Sequence, residues 1–552
     1  MQEKTSMVNG MVILAKALRS VGVDTIFYLT GGPMSPDSLE REKLGIRLID
    51  VRHEQAAAMM AHAYSRVSGK PGVCMTGAGP DTMNLTTGLL NAFMDCCPLV
   101  AVCGSSSLRG REQGSFQEVN QLDVMKPIVK HAWQVPAAER IPAFIQMAFT
   151  HAVRNKPGPI YLEFPAAEAL LQEVEESQIE LPEPVIDIER PSGDPDQVKK
   201  AIAILQAAQR PIVLAGSGVI WSRASAELQE FIEVTGIPFY TTPLARGVIP
   251  EDHQLCFLAA RSLAWREADA LLVIGTRANF IVQHLLPPRF ARDLKLIEVN
   301  IDAEEIGHNR RVDVGIVGDA RAVLAQLIQE ARSKFDASNV HDWVEKLRRT
   351  DDERKAAISS LLNTDQKPIH PLRLCKEIRD FLPRDAILAV DGHEILNFAR
   401  QVIPAYYPGH RLNPGPSGCM GVSVPFAIGA KVAKPEKAVM ALSGDGSFGM
   451  NGMEIDTAVR HDIPVVVVIS NNGSWASLVS KSLRRAGRYL GFTRYDKIAE
   501  ALNAWSAFVE DPEAIRPTLE RAFASGKPAV VNVITDPAAC ATTQQFTDFR
   551  PI

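Results

Sequence analysis

Two polar turns, each directly after a short apolar run, constrain this chain more than any other feature. The first is residues 442–449, LSGDGSFG, and the second is residues 469–474, ISNNGS. Short runs of branched apolar residues that end in a turn are typical of buried parallel strands. The carboxyl ends of parallel strands meet at one edge of a sheet, where open α/β sheets bind ligands. The sequence therefore predicts that Asp445 and Asn472 lie together at such an edge.

These turns carry the oxygen ligands that a hard divalent cation prefers. Carboxylate, carboxamide and carbonyl oxygens suit Mg²⁺, which shares its coordination shell with diphosphate oxygens. The candidate metal ligands are Asp445, Asn472 and Ser474. Backbone N–H groups of Gly446 and Ser447, which open the next helix, would bind the same phosphates. Taken separately, each turn is compatible with an ordinary loop, but 27 residues separate Asp445 from Asn472, the length of one strand–helix–strand unit.

This pair of turns resembles the metal- and diphosphate-binding motif of thiamine-diphosphate-dependent enzymes, in which that aspartate and the second asparagine bind Mg²⁺. The resemblance implies thiamine diphosphate and Mg²⁺ as cofactors.

Strand and helix patterns alternate along most of the chain, which predicts an α/β fold with parallel, doubly wound sheets. A length of 552 residues allows about three domains. We expect a pyrimidine-binding domain over residues 1–175, a middle domain over 195–335 and a diphosphate-binding domain over 365–552. Residues 171–196 are predicted to be a linker, and the charged, helical residues 333–364 a second connector.

Composition excludes several classes of function. A net charge of −5 gives no reason to expect nucleic acid or an anionic membrane as a partner. No apolar run approaches the ~20 residues of a membrane span, and the polar N-terminus has no signal-peptide pattern. Eight scattered cysteines without a CxxC spacing indicate reduced thiols and a cytoplasmic protein.

The resemblance also assigns the other end of the cofactor. A buried glutamate would hold a proton at the aminopyrimidine ring, and Glu54, which follows a predicted strand and opens a helix, is the candidate. Without the motif at Asp445, helix capping would explain Glu54 equally well. Met420, 25 residues before Asp445, matches the position that holds the cofactor bent, and the Gly418 carbonyl would accept a hydrogen bond from its amino group.

Further motifs narrow the subfamily. Residues 52–57, RHEQAA, and 116–118, FQE, resemble the pyrimidine domain of acetolactate synthase and its relatives. Middle-domain residues 259–264, AARSLA, and 275–280, GTRANF, are similar to 2-hydroxyacyl-CoA lyases and oxalyl-CoA decarboxylases. Phe116-Gln117 fits the lyases better than the decarboxylases, which have Tyr-Glu at that point.

A lyase of this kind implies carbon–carbon cleavage of a CoA thioester. A 2-hydroxyacyl-CoA, such as 2-hydroxyisobutyryl-CoA, would give formyl-CoA and a ketone or aldehyde. Phe116 and Gln117 are the further catalytic candidates, with Gln117 hydrogen-bonded to the substrate oxygen. Arg261 and Arg400 are candidates for binding CoA phosphates, because guanidinium groups suit phosphate, although solvated surface arginines would have the same sequence.

The middle domain is expected to bind a nucleotide. A Gly216-Ser217-Gly218 turn after an apolar run is compatible with a phosphate cradle, although the pattern alone is weak evidence. The resemblance to the decarboxylases implies bound ADP, with FAD less favoured, and assigns this role to Arg154, Gly216, Gly218 and Asp302.

The family resemblance implies a homodimer or homotetramer, because the two ends of the cofactor are bound by different subunits. The alternative enzymes are an acetolactate-synthase-like carboligase or decarboxylase of 2-oxo acids and an oxalyl-CoA decarboxylase. A non-catalytic thiamine- or nucleotide-binding regulator is the alternative of another class, which intact Glu54, Asp445 and Asn472 disfavour. The polar, aromatic residues 542–552 are predicted to close over bound substrate.

Overall fold

Three parallel β-sheets form the framework of the protein. The computed structural model describes residues 6–32, 34–35, 39, 42–184, 189–476 and 487–541. The predicted C-terminal lid, residues 542–552, lies outside the described residues. In the described part, the three main sheets contain six, five and six strands, and a separate two-stranded sheet joins β1 to β8. The expected α/β class with three doubly wound domains is confirmed.

The first domain contains a sheet of order β3-β2-β4-β5-β7-β6. Its strands and the small β1–β8 pair are β1 Met7–Asn9, β2 Thr25–Tyr28, β3 Arg47–Asp50, β4 Gly72–Thr76, β5 Leu99–Ser105, β6 His131–Gln134, β7 Pro159–Pro165 and β8 Glu173–Glu175. Its helices are α1 Gly10–Ser20, α2 Glu54–Ser68, α3 Pro80–Asn84, α4 Thr86–Met94, α5 Gln121–Met125 and α6 Ile141–Val153. The antiparallel pairing of β8 with β1 gives the predicted linker region a strand that sequence pattern did not indicate.

The middle domain has a sheet of order β10-β9-β11-β12-β13. Its strands are β9 Pro211–Ala215, β10 Phe239–Thr241, β11 Ala270–Ile274, β12 Lys295–Asn300 and β13 Val314–Val317. Its helices are α7 Pro195–Ala207, α8 Gly218–Trp221, α9 Ser225–Thr235, α10 Arg261–Glu267 and α11 Ala320–Lys334. Helix α7 begins where Asp194 caps it and Pro195 fixes its first turn.

The predicted second connector contributes to the middle-domain core. It contains α12 His341–Ala357 and α13 Ser359–Leu362, so the helical prediction is confirmed. However, Trp343, Val344 and Leu347 of α12 are buried in the same hydrophobic cluster as the middle-domain strands. Residues 341–347 therefore pack as part of this domain, because one face of the charged helix carries these apolar side chains.

The third domain has a sheet of order β15-β14-β16-β17-β19-β18. Its strands are β14 Ile387–Asp391, β15 Arg411–Leu412, β16 Val439–Gly444, β17 Val466–Asn471, β18 Trp505–Val509 and β19 Ala529–Ile534. Its helices are α14 Pro371–Phe381, α15 His393–Val402, α16 Ser423–Ala433, α17 Asp445–Asn451, α18 Glu454–Arg460, α19 Tyr495–Ala501 and α20 Ile515–Ala524. When the strands of each sheet are numbered along the chain, this sheet has the same spatial order of strands as the sheet of the first domain. The shared order indicates two related folds.

A shared hydrophobic core joins the first and third domains. It contains apolar residues of both sheets together with much of α2 and α16. Helix α2 is rich in alanine, and Gly429 of α16 lies against it: a Cβ at Gly429 would approach the Met60 carbonyl oxygen to 2.2 Å. The two backbones approach closely because residues at this crossing are small. This packing fixes the first domain against the third within one chain.

We expect Gly429→Ala to lower the free energy of unfolding by about 1–3 kcal/mol, the usual cost of adding a group to a packed core. The added methyl would meet the backbone of Met60, which cannot rotate away. Urea denaturation followed by circular dichroism measures this change. Gly32→Ala is the matched control, because no atom of the described residues lies within 4 Å of its added Cβ, and it should change stability by less than about 0.5 kcal/mol. Equal stability of both variants would contradict the close-packing account.

Candidate active site

The two polar turns come together at one edge of the third sheet, as the sequence predicts. Strands β16 and β17 are parallel neighbours, with Gly444 in register with Ser470. Asp445 begins α17 directly after β16, and Asn472 follows the last residue of β17. A cavity opens there, at the carboxyl ends of several neighbouring strands. Its lining includes Gly392, His393, Glu394, Met420, Asp445, Gly446, Ser447, Asn472, Ser474, Trp475 and Thr535.

The burial and hydrogen bonding of Asp445 are those expected of a metal ligand. The residue is 2% exposed, and its Oδ2 atom has no hydrogen-bond partner among the described residues. Burial raises the pKa of this carboxyl to about 7, although backbone N–H groups of Gly446, Gly473 and Ser474 oppose the shift. An isolated buried carboxylate is unfavourable unless it is paired or coordinates a metal. The site therefore fits Mg²⁺, whose ligands are oxygen atoms.

The other candidate ligands lie beside Asp445. Asn472 Oδ1 accepts a hydrogen bond from Ser474 N at 3.1 Å, which fixes the tight turn. Ser474 is buried, and its hydroxyl donates to the carbonyl of Ala476. The backbone carbonyl of Ser474 is the type of oxygen ligand that the sequence predicts at this turn.

The turn that is predicted to bind phosphate has little spare room. A Cβ at Gly446 would lie 2.6 Å from the ring of Trp475, so the aromatic ring packs directly on the glycine backbone. Ser447 is buried, and its hydroxyl donates to Asp391 Oδ1 at 3.2 Å. Only the backbone N–H of Ser447 is therefore suited to a phosphate, as the sequence predicts.

Asp391 is an organising residue that sequence reasoning missed. Its carboxylate is fully buried and accepts backbone hydrogen bonds from Gly392 and Val422, both at 2.7 Å. Burial raises the pKa of Asp391 to about 6, against the effect of these hydrogen bonds. It thereby ties the end of β14 to the segment that carries Met420 and to the Ser447 hydroxyl. An apolar run ending in Asp-Gly was the available sequence signal.

Gly418 and Met420 lie on a segment next to the cavity. Gly418 has φ +63°, the left-handed conformation that glycine adopts readily, and it is exposed. Met420 lines the cavity. The preceding turn is held by Asn91 of α4, whose Nδ2 donates to Pro414 O at 2.9 Å and to Ser417 Oγ at 2.7 Å.

Glu54, Phe116 and Gln117 lie at the corresponding edge of the first sheet. Glu54 is buried at the start of α2, and its Oε2 accepts a hydrogen bond from Asn84 Nδ2 at 2.9 Å. Gln117 has φ +57° and packs over Gly79, which follows β4. Phe116 is 84% exposed. None of these three residues lines the Asp445 cavity. Within one chain, these three residues and the residues around Asp445 therefore lie at separate places.

Arg261 and Arg400 belong to a cluster of arginines that also contains Arg246 and Arg411. The cluster lies where the middle domain meets the third domain, since Arg246 donates to the Ile403 carbonyl at 3.0 Å. Burial, together with the neighbouring arginines, lowers the pKa of Arg261 to about 10 and that of Arg400 to about 9. Sequence reasoning missed Arg246 and Arg411, because the cluster forms only when distant segments meet.

A separate cavity lies between the first and middle domains and contacts Gly415 and Pro416 of the third. Gly218 lines it, whereas Gly216 packs against Gly275, where a Cβ would come 2.3 Å from the carbonyl oxygen. Arg154 is not among the described residues of this lining, although Glu189, which pairs with its guanidinium at 3.1 Å, is. Asp302 lines an adjacent cavity and accepts a hydrogen bond from Lys156 at 2.7 Å. The structure therefore brings only Gly218 of the four predicted nucleotide residues to the cavity wall.

In the described part of the chain, no helix is long and apolar enough to cross a membrane.

Comparison with known proteins identifies all three domains. Three family models match, described as the N-terminal TPP binding domain, the central domain and the C-terminal TPP binding domain of thiamine pyrophosphate enzymes, over residues 8–124, 198–327 and 395–533. A probable acetolactate synthase of Mycobacterium bovis is 35% identical, with 95% of each chain covered. A 2-hydroxyacyl-CoA lyase of Arabidopsis thaliana is 33% identical, covering 97% of this chain and 96% of the relative. An oxalyl-CoA decarboxylase of Escherichia coli is 32% identical, covering 100% and 99%.

We expect Asp445→Asn to lose Mg²⁺ and thiamine diphosphate together, because a cation held by Asp445 would also hold the diphosphate. Metal analysis and isothermal titration calorimetry measure both losses. The ligand-free variant should be at least as stable as the ligand-free parent, since a buried, unpaired carboxylate has been removed. Asp385→Asn, an exposed carboxylate paired with Lys437 before β14, is the control and should bind both ligands. Full cofactor retention by Asp445→Asn would refute this assignment.

Proposed function

Because the chain belongs to the thiamine pyrophosphate enzyme family, we propose that it is a thiamine-diphosphate-dependent carbon–carbon lyase acting on 2-hydroxyacyl-CoA. Branched substrates such as 2-hydroxyisobutyryl-CoA would be split to formyl-CoA and a ketone or aldehyde, and the reverse condensation is open to the same site. Names of relatives support both CoA thioesters and 2-oxo acids as substrate classes. The choice between them rests on the arginine cluster.

The proposal rests on the arginine cluster, because the nearby carboxylates that the structure describes do not balance its positive charge. Among the described residues, Glu251 is the one carboxylate that pairs with its four guanidinium groups, through Arg246. Arg411 Nη1 is buried without a described hydrogen-bond partner. Burial and the adjacent arginines lower the pKa of Arg411 to about 9. Like charges held together in a poorly solvated place favour a multiply charged ligand, and the phosphates of CoA supply one.

Different residues of this chain would have different roles in the proposed reaction. Bound thiamine diphosphate supplies the electron sink for the carbon left after cleavage. Asp445, Asn472 and the Ser474 carbonyl would hold Mg²⁺ against the diphosphate, and Met420 would orient the cofactor. Glu54 would hold a proton at the aminopyrimidine ring.

Gln117 and Phe116 would act at the substrate end. Gln117 would hydrogen-bond the substrate oxygen, and the exposed Phe116 would exclude water once covered. The bond between the thioester carbon and the hydroxyl-bearing carbon breaks. The hydroxyl group loses its proton as the ketone or aldehyde leaves, and the thioester carbon gains a proton to become formyl-CoA.

The middle-domain cavity is a proposed nucleotide site of secondary importance. Ser217 and Gly218 form part of its wall, and Arg277 also lines it. ADP is the proposed occupant and FAD the alternative. Mass spectrometry of small molecules released from the purified protein distinguishes the two by mass.

An acetolactate-synthase-like activity is the second candidate, favoured by the 35% identity to the mycobacterial relative. A product assay with pyruvate and a panel of 2-hydroxyacyl-CoA thioesters and oxalyl-CoA separates the candidates. The proposed lyase would form formyl-CoA from the hydroxyacyl thioesters without consuming pyruvate. Conversion of pyruvate to acetolactate, with every thioester ignored, would overturn the lyase assignment.

We expect Arg261→Ala to raise KM for the thioester more than it lowers kcat, because contacts with a remote phosphate bind ground and transition states alike. The loss in kcat/KM should correspond to about 1–3 kcal/mol, as for a charge-assisted hydrogen bond. Arg384→Ala is the matched control: this arginine joins the same two domains but is half-exposed and paired with Asp252. A pure fall in kcat for Arg261→Ala, or an equal effect of Arg384→Ala, would exclude a phosphate-binding role.

The separation of Glu54 from the Asp445 cavity supports an active site made by two copies of the chain, in a homodimer or homotetramer. Glu54→Ala and Asp445→Ala should each be inactive alone but recover activity when mixed, unfolded and reassembled. One of the two sites in a mixed dimer would then contain both native residues. Activity assays alongside light scattering measure this recovery. Full activity from a strict monomer would contradict the two-copy site.

A further inference from the structure

A buried carboxylate of the third domain holds the turn that leads into Glu54. Glu454 opens α18 and is 1% exposed. Its Oε1 accepts hydrogen bonds from the backbone N–H groups of Arg52 and His53, both at 3.1 Å. Those two residues directly precede Glu54. We propose that Glu454 is a positioning residue for Glu54, an inference that rests on the proposed role of Glu54 at the aminopyrimidine.

Glu454 contacts the backbone just before Glu54, and the path of the backbone there determines where the Glu54 side chain points. His53 is the N-terminal cap of α2, and its Nδ1 accepts a hydrogen bond from Gln55 N at 3.1 Å. Glu454 fixes the two N–H groups at and before this cap, so it fixes how the chain enters the helix. Glu54 is the first residue of that helix. A shift of the entering turn would move the Glu54 carboxylate with it.

Glu454 is itself held in place. The Thr457 hydroxyl donates to Glu454 Oε2 at 2.6 Å, and both residues are buried. Hydrogen bonds to a buried carboxylate are stronger than neutral ones and restrict its geometry. The acceptor therefore has a defined position relative to the Arg52 and His53 amides.

The exposed ion pairs around Glu454 provide a built-in comparison. Asp456 contacts Arg52 Nη1 at 3.6 Å, and Arg460 of the same helix pairs with Asp50. Exposed pairs of this kind contribute little, because water and salt screen them. If Glu454 only held the two segments together, replacing Asp456 would have the same effect as replacing Glu454, but a weaker one. If Glu454 positions the Glu54 side chain, replacing Glu454 would disturb Glu54 and replacing Asp456 would not.

The test measures exchange of the thiazolium C2 proton of bound thiamine diphosphate by quenched-flow NMR, using the holoenzyme with Mg²⁺. This exchange depends on the proton held by Glu54. Glu454→Ala should slow it about 10- to 100-fold, the scale expected for a displacement near 1 Å. Its affinity for thiamine diphosphate should stay within about threefold, because Glu454 does not line the Asp445 cavity. Glu454→Gln should restore most of the rate, since one carbonyl oxygen can accept both amide hydrogens.

Asp456→Asn is the control and should exchange at the parent rate. Glu454→Asp keeps the charge but withdraws the acceptor, so it should slow exchange even if Glu454→Ala does not fold. Parent-like exchange in folded Glu454→Ala or Glu454→Asp would overturn the positioning role. So would an equal slowing in Glu454→Gln and Glu454→Ala. Glu54→Gln separates the two proposals: normal exchange there refutes the role of Glu54 itself, whereas slow exchange there with normal exchange in Glu454→Asp refutes positioning alone.

Discussion

The Asp445 carboxylate, buried at the ends of two adjacent strands, is the constraint on which the rest of the site depends. Its Oδ2 atom has no described partner, and nearby backbone N–H groups compensate only in part. A fold tolerates such a group when a ligand completes it. The strand ends, the close contact of Trp475 with Gly446 and the buried Asp391 all serve to fix the surroundings of this one carboxylate.

The packing between domains determines what each site residue can reach. The shared core of α2 and α16 fixes the first domain against the third, and Glu454 extends this contact to the turn before Glu54. The middle domain meets the third through arginines whose charge exceeds that of the carboxylate paired with them. One chain thus carries the proposed cation, proton-holding and anion sites in fixed relation.

The sequence predicted the adjacency of Asp445 and Asn472 because apolar runs mark buried central strands clearly. It missed β6, β10, β13, β15 and β18, which are short or partly polar and lie at sheet edges, where pattern is weak. It also missed β14, although this strand is central and fully buried. Asp391 and the full arginine cluster were missed for another reason: their roles depend on contacts with residues distant in sequence. Arg154 was predicted to bind a nucleotide, but Glu189, its ion-pair partner, lines the middle-domain cavity and Arg154 does not.

A crystal structure with thiamine diphosphate and Mn²⁺ in place of Mg²⁺ would locate the metal by anomalous scattering. We expect a manganese peak between Asp445 and Asn472, with the diphosphate beside it. The aminopyrimidine ring should lie at hydrogen-bond distance from Glu54 of a second copy of the chain. A cofactor bound without metal at Asp445, or with its ring away from every Glu54, would contradict the account.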